Sequence, residues 1–162
     1  MFTIRPTTIE DMPAIWAFVR KKAAFDNWLD KLEATPETLA SAFFAPVPSA
    51  GVLLAEEDGR AIGFATYYYT FSTYLARRGI WLDDLYVDAD VRGRGVGRAL
   101  LESLAQLAIA RGCRRMEWVT AASNDRAIGF YRGLGANVQE AIRVCRLDEM
   151  PITGLAAGCA SL

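Results

Sequence analysis

A run of alternating glycines and arginines in the second half of the chain has the composition of an anion-binding loop. The run is Arg92-Gly93-Arg94-Gly95-Val96-Gly97-Arg98; it follows the β-rich segment 81–87 and precedes a helical spacing of leucines and alanines from residue 99. Glycine lets the backbone approach a ligand with φ above zero. A helix N-terminus directs N–H groups toward an anion, and arginine forks match phosphate. The pattern therefore predicts a loop that holds a pyrophosphate.

Other glycine-rich motifs fit this run less well. A P-loop needs Gly-Lys followed by Ser or Thr, and the run contains no such sequence. A dinucleotide fingerprint has the spacing G-x-G-x-x-G and stands in the first βα unit, whereas these glycines alternate and lie past the middle of the chain. An ordinary surface loop remains the alternative, because short glycine patterns are common.

The absence of histidine restricts the acid–base chemistry of the chain. Proton transfer near neutral pH must then use carboxylates, tyrosine, cysteine, lysine or water. Histidine-dependent triads and His-containing zinc sites are excluded, and we expect no metal. Cys113, Cys145 and Cys159 have neither metal-type spacing nor an activating histidine. They are predicted to be reduced thiols rather than nucleophiles or disulfides.

Length and composition are those of an ordinary globular protein. The chain has 162 residues, 52% of them hydrophobic, and a net charge of −1. We expect a single domain over residues 1–150 and a loose Gly/Ala-rich tail over 151–162. The near-zero charge gives no electrostatic case for nucleic acid or an anionic membrane. There is no signal-peptide pattern and no apolar run of the roughly 20 residues that span a bilayer, so we expect a cytoplasmic protein.

The order of predicted elements favours an α/β domain built on one mixed sheet. The predicted strands are residues 2–5, 52–56, 61–67, 79–87, 115–120 and 142–147. Helices are predicted to begin near Thr8, at Thr35-Pro36, near Gly97 and at Asn124. The polar turn 57–60 is expected to join two strands as a hairpin.

Three motifs in the same order resemble the GNAT superfamily of N-acetyltransferases. The run 92–98 is similar to the R-G-x-G-x-G/A acyl-CoA loop of that superfamily. The other two are Tyr67–Leu75 with Trp81–Val87, and Asn124–Tyr131 followed by 133–136; together they resemble the diamine (spermidine/spermine) acetyltransferase branch. The resemblance extends from about residue 3 to about residue 148. It implies a GNAT-like, mixed, mostly antiparallel central sheet flanked by helices, with acetyl-CoA as cosubstrate.

The resemblance also implies which residues bind acetyl-CoA. Main-chain groups of Leu85, Tyr86 and Val87 would pair with the pantetheine arm, and the N–H of Val87 would stabilise the oxyanion. The loop would hold the pyrophosphate through Arg92, Gly93, Arg94, Gly95, Val96, Gly97 and Arg98. The next helix would touch the cofactor through Asn124, Asp125, Arg126 and Ala127. The branch usually has Glu-Pro after the asparagine, so Arg126 would here reach a CoA phosphate.

Tyr131 is the implied general acid. It follows Asn124 by seven residues, about two helical turns, and so lies on the same helix face. A phenol in that place would protonate the leaving thiolate. Packing against Phe130 and Ile128 is the alternative interpretation, and Asn124 by itself is also expected to be a helix N-cap.

An acidic acceptor groove is implied as well. Asp83 matches a substrate-facing glutamate and would relay a proton through water. Asp84 would face the other side of the strand as its structural partner. The remaining implied substrate-binding residues are Phe25, Asp26, Glu117, Trp118 and Val119. A single carboxylate is usually only part of a solvated surface, so the prediction depends on several of them sharing one groove.

The predicted reaction is direct attack of a small primary amine on acetyl-CoA, without an acyl-enzyme. Candidate acceptors are a diamine, spermidine, spermine, or a lysine-like amino acid such as thialysine. The alternatives are a GNAT enzyme for a protein N-terminus, a lysine or an aminoglycoside, and a CoA-sensing module without turnover. The resemblance also implies a homodimer, which the aromatic run 67–71 favours because rings stand on both faces of one strand.

Overall fold

The computed structural model describes residues 1–159. These residues form two compact units, Met1–Val119 and a second from Thr120 onward. The first contains the whole sheet and three helices; the second contains two helices. The expectation of a single domain over 1–150 stays a prediction.

The sheet has five strands in the order in which they occur along the chain. They are β1 (Phe2–Pro6), β2 (Gly51–Glu57), β3 (Arg60–Ser72), β4 (Arg77–Val87) and β5 (Met116–Glu117). Neighbouring strands are antiparallel except β4 and β5, which are parallel. The predicted mixed, mostly antiparallel sheet flanked by helices is confirmed.

The hairpin between β2 and β3 forms where the sequence predicts it. Asp58 and Gly59 both have positive φ, 51° and 77°. A two-residue turn with both central residues at positive φ matches the right-handed twist of the paired strands. The turn thereby sets the register in which Glu57 pairs with Arg60.

The helices of the first unit begin close to the positions that the sequence predicts. Helix α2 (Pro36–Phe43) begins at Thr35-Pro36, as the sequence predicts, and the hydroxyl of Thr35 accepts the N–H of Thr38 at 3.3 Å. Helix α1 (Met12–Phe25) begins four residues after the expected Thr8, because residues 9–11 form a tight 3-10 turn. Helix α3 (Val96–Ala110) follows the glycine loop.

The helices cover both faces of the sheet. On one face Phe18 of α1 stacks on Phe64 of β3, with ring centroids 5.3 Å apart. On the other face α3 packs so closely that a Cβ on Gly63 would lie 3.4 Å from a methyl of Val96. Adjacent residues of a strand point to opposite faces, so Gly63 and Phe64 assign the two helices to opposite layers.

The second unit differs from the sequence-based expectation. It contains α4 (Asp125–Gly133) and α5 (Glu149–Cys159). The strand predicted over 142–147 does not form, and the one predicted over 115–120 is reduced to the two residues of β5. Alternating sequence favours a strand, but a strand needs a partner ladder for its N–H and C=O groups.

The C-terminal segment is helical in the structure where a loose tail is expected. Residues 151–159 of the predicted tail belong to α5, and 160–162 lie outside the described residues. Within residues 1–159, no helix combines the length and apolar character that crossing a membrane requires. The cytoplasmic location stays a prediction.

Candidate active site

A β-bulge at Asp83 determines toward which face of the sheet the side chains in the second half of β4 point. On β3, Thr66 pairs with Asp84 while the next residue, Tyr67, pairs with Leu82. Asp83 is therefore an extra residue in β4. Cross-strand partners share a face, so Asp84 takes the face of Thr66, opposite to Leu82, and the usual alternation is reset at this point.

The bulge also turns the N–H groups of β4 toward a different edge. Before it, the N–H of Ile80 donates to the carbonyl of Arg115 beside β5, at 3.0 Å; after it, the N–H of Asp88 donates to Ile62 on β3, also at 3.0 Å. Because successive N–H groups alternate between the two edges, the N–H of Val87 points away from β3. Strand β5 pairs with β4 only at residues 80 and 81. The end of β4 thus directs Val87 N–H to an edge that β5 does not cover.

The glycine loop has the geometry of an anion-binding loop. Gly93 and Gly95 have φ of 83° and 87°, and a Cβ at either would meet nothing within 4 Å. Gly95 is the N-cap of α3 and supplies no side-chain acceptor; the first intrahelical bond is Ala99 N–H to Gly95 C=O, at 3.0 Å. The N–H groups of 96–98 therefore lack an intrahelical acceptor. This fits a phosphate group of CoA.

The three arginines of the loop have different partners. Arg98 lies on the exposed side of α3, 3.6 Å from Glu102. Arg94 forms a bidentate pair with Glu57, at 2.6 and 3.0 Å. Nε of Arg92 donates to the carbonyl of Val87 at 2.9 Å, which ties the loop to the end of β4. Arg94 is thus held by a close bidentate carboxylate, Arg98 has a longer contact with one, and Arg92 is bound to a main-chain carbonyl. The phosphate-binding roles of all three arginines stay predictions.

Two aromatic rings lie beside the end of β4. The guanidinium of Arg92 lies 5.3 Å from the ring centroids of both Phe25 and Tyr86, within the range of a cation–π contact. The two rings meet edge to face at 6.2 Å. The structure therefore brings a predicted acceptor residue, Phe25, directly against a predicted cofactor-strand residue, Tyr86.

A lysine lies between two aspartates at the C-terminal end of α1. Lys22 forms an ion pair with Asp26, one turn further on, and its Nζ lies 3.5 Å from Oδ1 of Asp84 on β4. We call Lys22, Asp26 and Asp84 the lysine–aspartate cluster. Burial by itself disfavours the ammonium, but the hydrogen bond with Asp26 and the charge of Asp84 raise the pKa of Lys22. Burial raises the pKa of Asp84, and the charge of Asp83 adds to the effect.

Asp83 and Glu117 have other surroundings. Asp83 is exposed. It lies near Tyr68, whose pKa is raised mainly by the burial of the phenol and also by the negative charge of Asp83. Glu117 forms an ion pair with Arg115 at 2.7 Å, and it is the cross-strand partner of Trp81 on β4. Two of the predicted acceptor carboxylates, Asp26 and Glu117, thus pair with different basic residues.

The other two predicted acceptor residues follow β5. Trp118 is half-buried and Val119 is exposed. Their contact with a substrate stays a prediction.

In the second unit, the N-cap prediction is confirmed. Oδ1 of Asn124 accepts the N–H of Ala127 at 3.1 Å, which satisfies a donor at the start of α4. Asp125 and Arg126 are exposed, and Tyr131 is half-buried with its ring 5.3 Å from that of Phe130. Their contacts with a cofactor stay predictions.

Sequence analysis missed the part that Lys22 and Asp84 play in this cluster. The i, i+4 spacing of Lys22 and Asp26 was a readable signal for an ion pair on one helix. Nothing in the sequence marks the bulge that turns Asp84 toward them. Thr66 was missed for the same reason: its hydroxyl accepts the N–H of Asp84 at 3.0 Å, in place of a regular ladder bond.

Comparison with known proteins identifies the family. The acetyltransferase (GNAT) family matches residues 15–136, which include the bulge, the glycine loop and α4. The chain belongs to the GNAT acetyltransferases. The superfamily and the acyltransferase class predicted from the three motifs are thereby confirmed, and acetyl-CoA is the donor that this family uses.

Curated relatives of this GNAT acetyltransferase are similar to it at modest identity. It is 28% identical to bovine thialysine N-epsilon-acetyltransferase over 141 residues, 82% of each chain. It is 31% identical to human spermidine/spermine N(1)-acetyltransferase-like protein 1 over 142 residues. That match covers 83% of this chain but only 20% of the human protein, so the chain corresponds to about a fifth of that relative.

A solved structure is also similar over nearly the whole chain. An integron cassette protein from the mobile metagenome of V. cholerae superposes with a TM-score of 0.78 at 26% identity, covering 96% of this chain and 97% of that one. An aminoglycoside acetyltransferase from an uncultured soil sample has a TM-score of 0.77 at 20% identity, which is a likeness of fold alone.

Proposed function

We propose that this GNAT acetyltransferase transfers the acetyl group of acetyl-CoA to a small primary amine that carries a second positive charge, such as a diamine, a polyamine or a lysine-like amino acid. The observation that carries the proposal is the ammonium of Lys22 between Asp26 and Asp84. An alkylammonium at the end of α1 already has two carboxylates as partners there. The names of the human and bovine relatives, spermidine/spermine and thialysine acetyltransferases, agree with such an acceptor.

The donor is bound, in this proposal, by main-chain groups. The N–H groups of 96–98 and the α3 N-terminus hold the pyrophosphate, because they have no helical acceptor and no side chain crowds the loop. The pantetheine arm runs along Leu85, Tyr86 and Val87, at the edge that β5 leaves uncovered. There the Val87 N–H donates to the thioester oxygen and stabilises the negative charge that develops on it.

The amine attacks the thioester carbon directly. An alkylammonium has a pKa near 10, so about one molecule in a thousand is neutral at pH 7. The C–N bond forms, the tetrahedral intermediate collapses and the C–S bond breaks. The proton of the amine passes through water to Asp83, which is exposed. Asp84 is a second candidate acceptor, because burial raises its pKa.

The leaving thiolate takes its proton from Tyr131. This role, and the cofactor contacts of Asn124, Asp125, Arg126 and Ala127, rest on the family resemblance. Phe25, Asp26, Glu117, Trp118 and Val119 complete the proposed acceptor groove on the same ground. For Phe25 and Asp26 a structural observation adds support, since they adjoin Tyr86 and Lys22.

The proposal includes a homodimer. Tyr68 and Tyr69 are neighbours on β3 and expose 36% and 40% of their surfaces, and Phe71 exposes 64%. Rings exposed on both faces of one strand favour a covering partner. Sedimentation at micromolar concentration tests this: a mass near twice the 17.8 kDa of the chain is expected, and a monomeric mass would contradict it.

Thiol release from acetyl-CoA with a panel of acceptors tests the function. The panel contains a diamine, spermidine, lysine, thialysine, a monoamine, an aminoglycoside and a peptide with a free N-terminus. We expect release with the small dicationic amines above the others. Turnover only with the peptide or only with the aminoglycoside would contradict the proposed class of small dicationic amines and identify that compound's class as the acceptor. Binding of acetyl-CoA without release for any amine would instead indicate a CoA-sensing module.

A further inference from the structure

We infer that Lys22 is a specificity-determining residue whose ammonium competes with the acceptor for the carboxylates of Asp26 and Asp84. The inference rests on the proposed function, because it concerns the charge of the same acceptor groove. The competitor is part of the protein itself: the lysine occupies a place that a substrate ammonium would take. Binding of a dicationic acceptor then requires Lys22 to give up at least one of its partners.

The position of Lys22 differs from that of a freely solvated lysine. Its side chain is only 21% exposed, against 45% for the adjacent Lys21. It is held along the helix by Asp26 and across to β4 by Asp84, whose side chain is 29% exposed. Ion pairs shielded from water in this way are screened less by salt than surface pairs. The contact with Asp84, at 3.5 Å, is the weaker and is the one that a competing cation can replace first.

The charge balance of the cluster sets how many cationic groups it accepts. Two carboxylates and one ammonium leave a single net negative charge in the lysine–aspartate cluster. Without Lys22 the same pair of carboxylates would carry two uncompensated charges. Lys22 therefore lowers the affinity for dications and reduces, without abolishing, the preference of the groove for them over monoamines.

The chain offers a matched control for the charge of Lys22. It has three lysines, at positions 21, 22 and 31. Lys21 pairs with the buried Asp88 at 2.6 Å and is unsuitable as a control. Lys31 lies over the ring of Trp28 at 4.7 Å and has no part in the cluster, so its loss changes the net charge without touching Asp26 or Asp84.

The test compares Lys22→Met with Lys31→Met. Methionine keeps the unbranched stem and the helix propensity of lysine but removes the charge. The readout is the ratio of kcat/KM for a four-carbon diamine to that for the monoamine of the same length. In Lys22→Met we expect this ratio to rise about two- to tenfold through a lower KM for the diamine. In Lys31→Met the ratio stays at the wild-type value, and in Lys22→Arg, which keeps the charge, it does not rise.

An unchanged or lower ratio in Lys22→Met would overturn the inference, as would an equal rise in Lys31→Met. If Lys22→Met does not fold, Lys22→Gln replaces it, with the same expectation. Calorimetric titration of the diamine without acetyl-CoA separates the two proposals. Wild-type protein that binds the diamine but does not acetylate it would contradict the proposed function alone, and tighter binding by Lys22→Met would still support the competition. Diamine binding to neither protein, together with no thiol release from acetyl-CoA and the diamine, would overturn both.

Discussion

The guanidinium of Arg94 and the carboxylate of Glu57 form a bidentate pair that fastens the glycine loop to the end of β2. Hydrogen bonding and charge from Arg94 lower the pKa of Glu57. The second arginine of the loop thus already has an anion as partner. If it also binds a CoA phosphate, it must leave Glu57, and the affinity for acetyl-CoA then contains the cost of breaking this pair.

Glu57→Gln removes that competition. Because a glutamine pairs with Arg94 more weakly than a carboxylate does, we expect KM for acetyl-CoA to fall about two- to fivefold. Steady-state kinetics at saturating amine measures it. Glu56→Gln is the matched control, since Glu56 is the next residue on β2 and pairs with Arg5. A higher KM in Glu57→Gln would mean that the pair only positions the loop.

Gly95→Ala tests the phosphate loop. The φ of 87° at Gly95 strains any residue with a Cβ, and we expect a loss of stability of about 1 kcal/mol and a many-fold rise in KM for acetyl-CoA. Gly59→Ala separates the two effects, because Gly59 has a similar φ of 77° in the β2–β3 turn. It should lose similar stability in urea denaturation with unchanged KM. Equal KM values in both variants would refute the loop assignment.

Asp83→Asn and Asp84→Asn assign the proton acceptor. We expect Asp83→Asn to lower kcat/KM for a diamine most, on the order of 10²-fold, if the proton passes through it. Asp84→Asn should act mainly on KM, because Asp84 shares Lys22 with Asp26. Measurement of kcat and KM separately distinguishes the roles. A larger fall of kcat in Asp84→Asn would assign the proton relay to the half-buried Asp84 instead of Asp83.

Tyr131→Phe keeps the ring and removes the phenolic proton. If Tyr131 protonates the thiolate, kcat should fall on the order of 10²-fold while cofactor binding changes little. Thiol release gives kcat, and titration with CoA gives the affinity. A kcat close to that of the wild type would leave Tyr131 as a packing residue of α4.

Asp11→Asn tests a paired carboxylate outside the glycine loop. Both oxygens of Asp11 accept from Arg5 at 2.8 Å, and this hydrogen bonding lowers the pKa of Asp11. A lowered pKa in the folded state contributes stability above the ordinary value of about 3.9, and the contribution is lost as the pH falls below it. We expect Asp11→Asn to be less stable by about 1 kcal/mol at pH 7. Urea denaturation should show the difference shrinking below about pH 4.

The sequence by itself determined the features whose causes lie within a few residues. The positive φ values of Gly59, Gly93 and Gly95 follow from glycine, and Thr35 and Asn124 cap helices through donors three residues away. The order of strands and helices, and the three motifs that indicate a GNAT acetyltransferase, are likewise local patterns. They sufficed for the fold class and the reaction class.

Only the tertiary structure decided which charged groups meet. Asp83 becomes a bulge because β3 and β4 pair out of step between Thr66 and Tyr67. That register directs Asp84 to Lys22, 62 positions earlier in the printed sequence. Arg94 reaches Glu57 through the packing of the loop against β2. The strand expected over 142–147 is missing for a related reason, since alternation cannot supply a partner strand. Pairing between distant segments depends on the packing of the whole sheet, so the residue types of the two paired segments do not by themselves predict it.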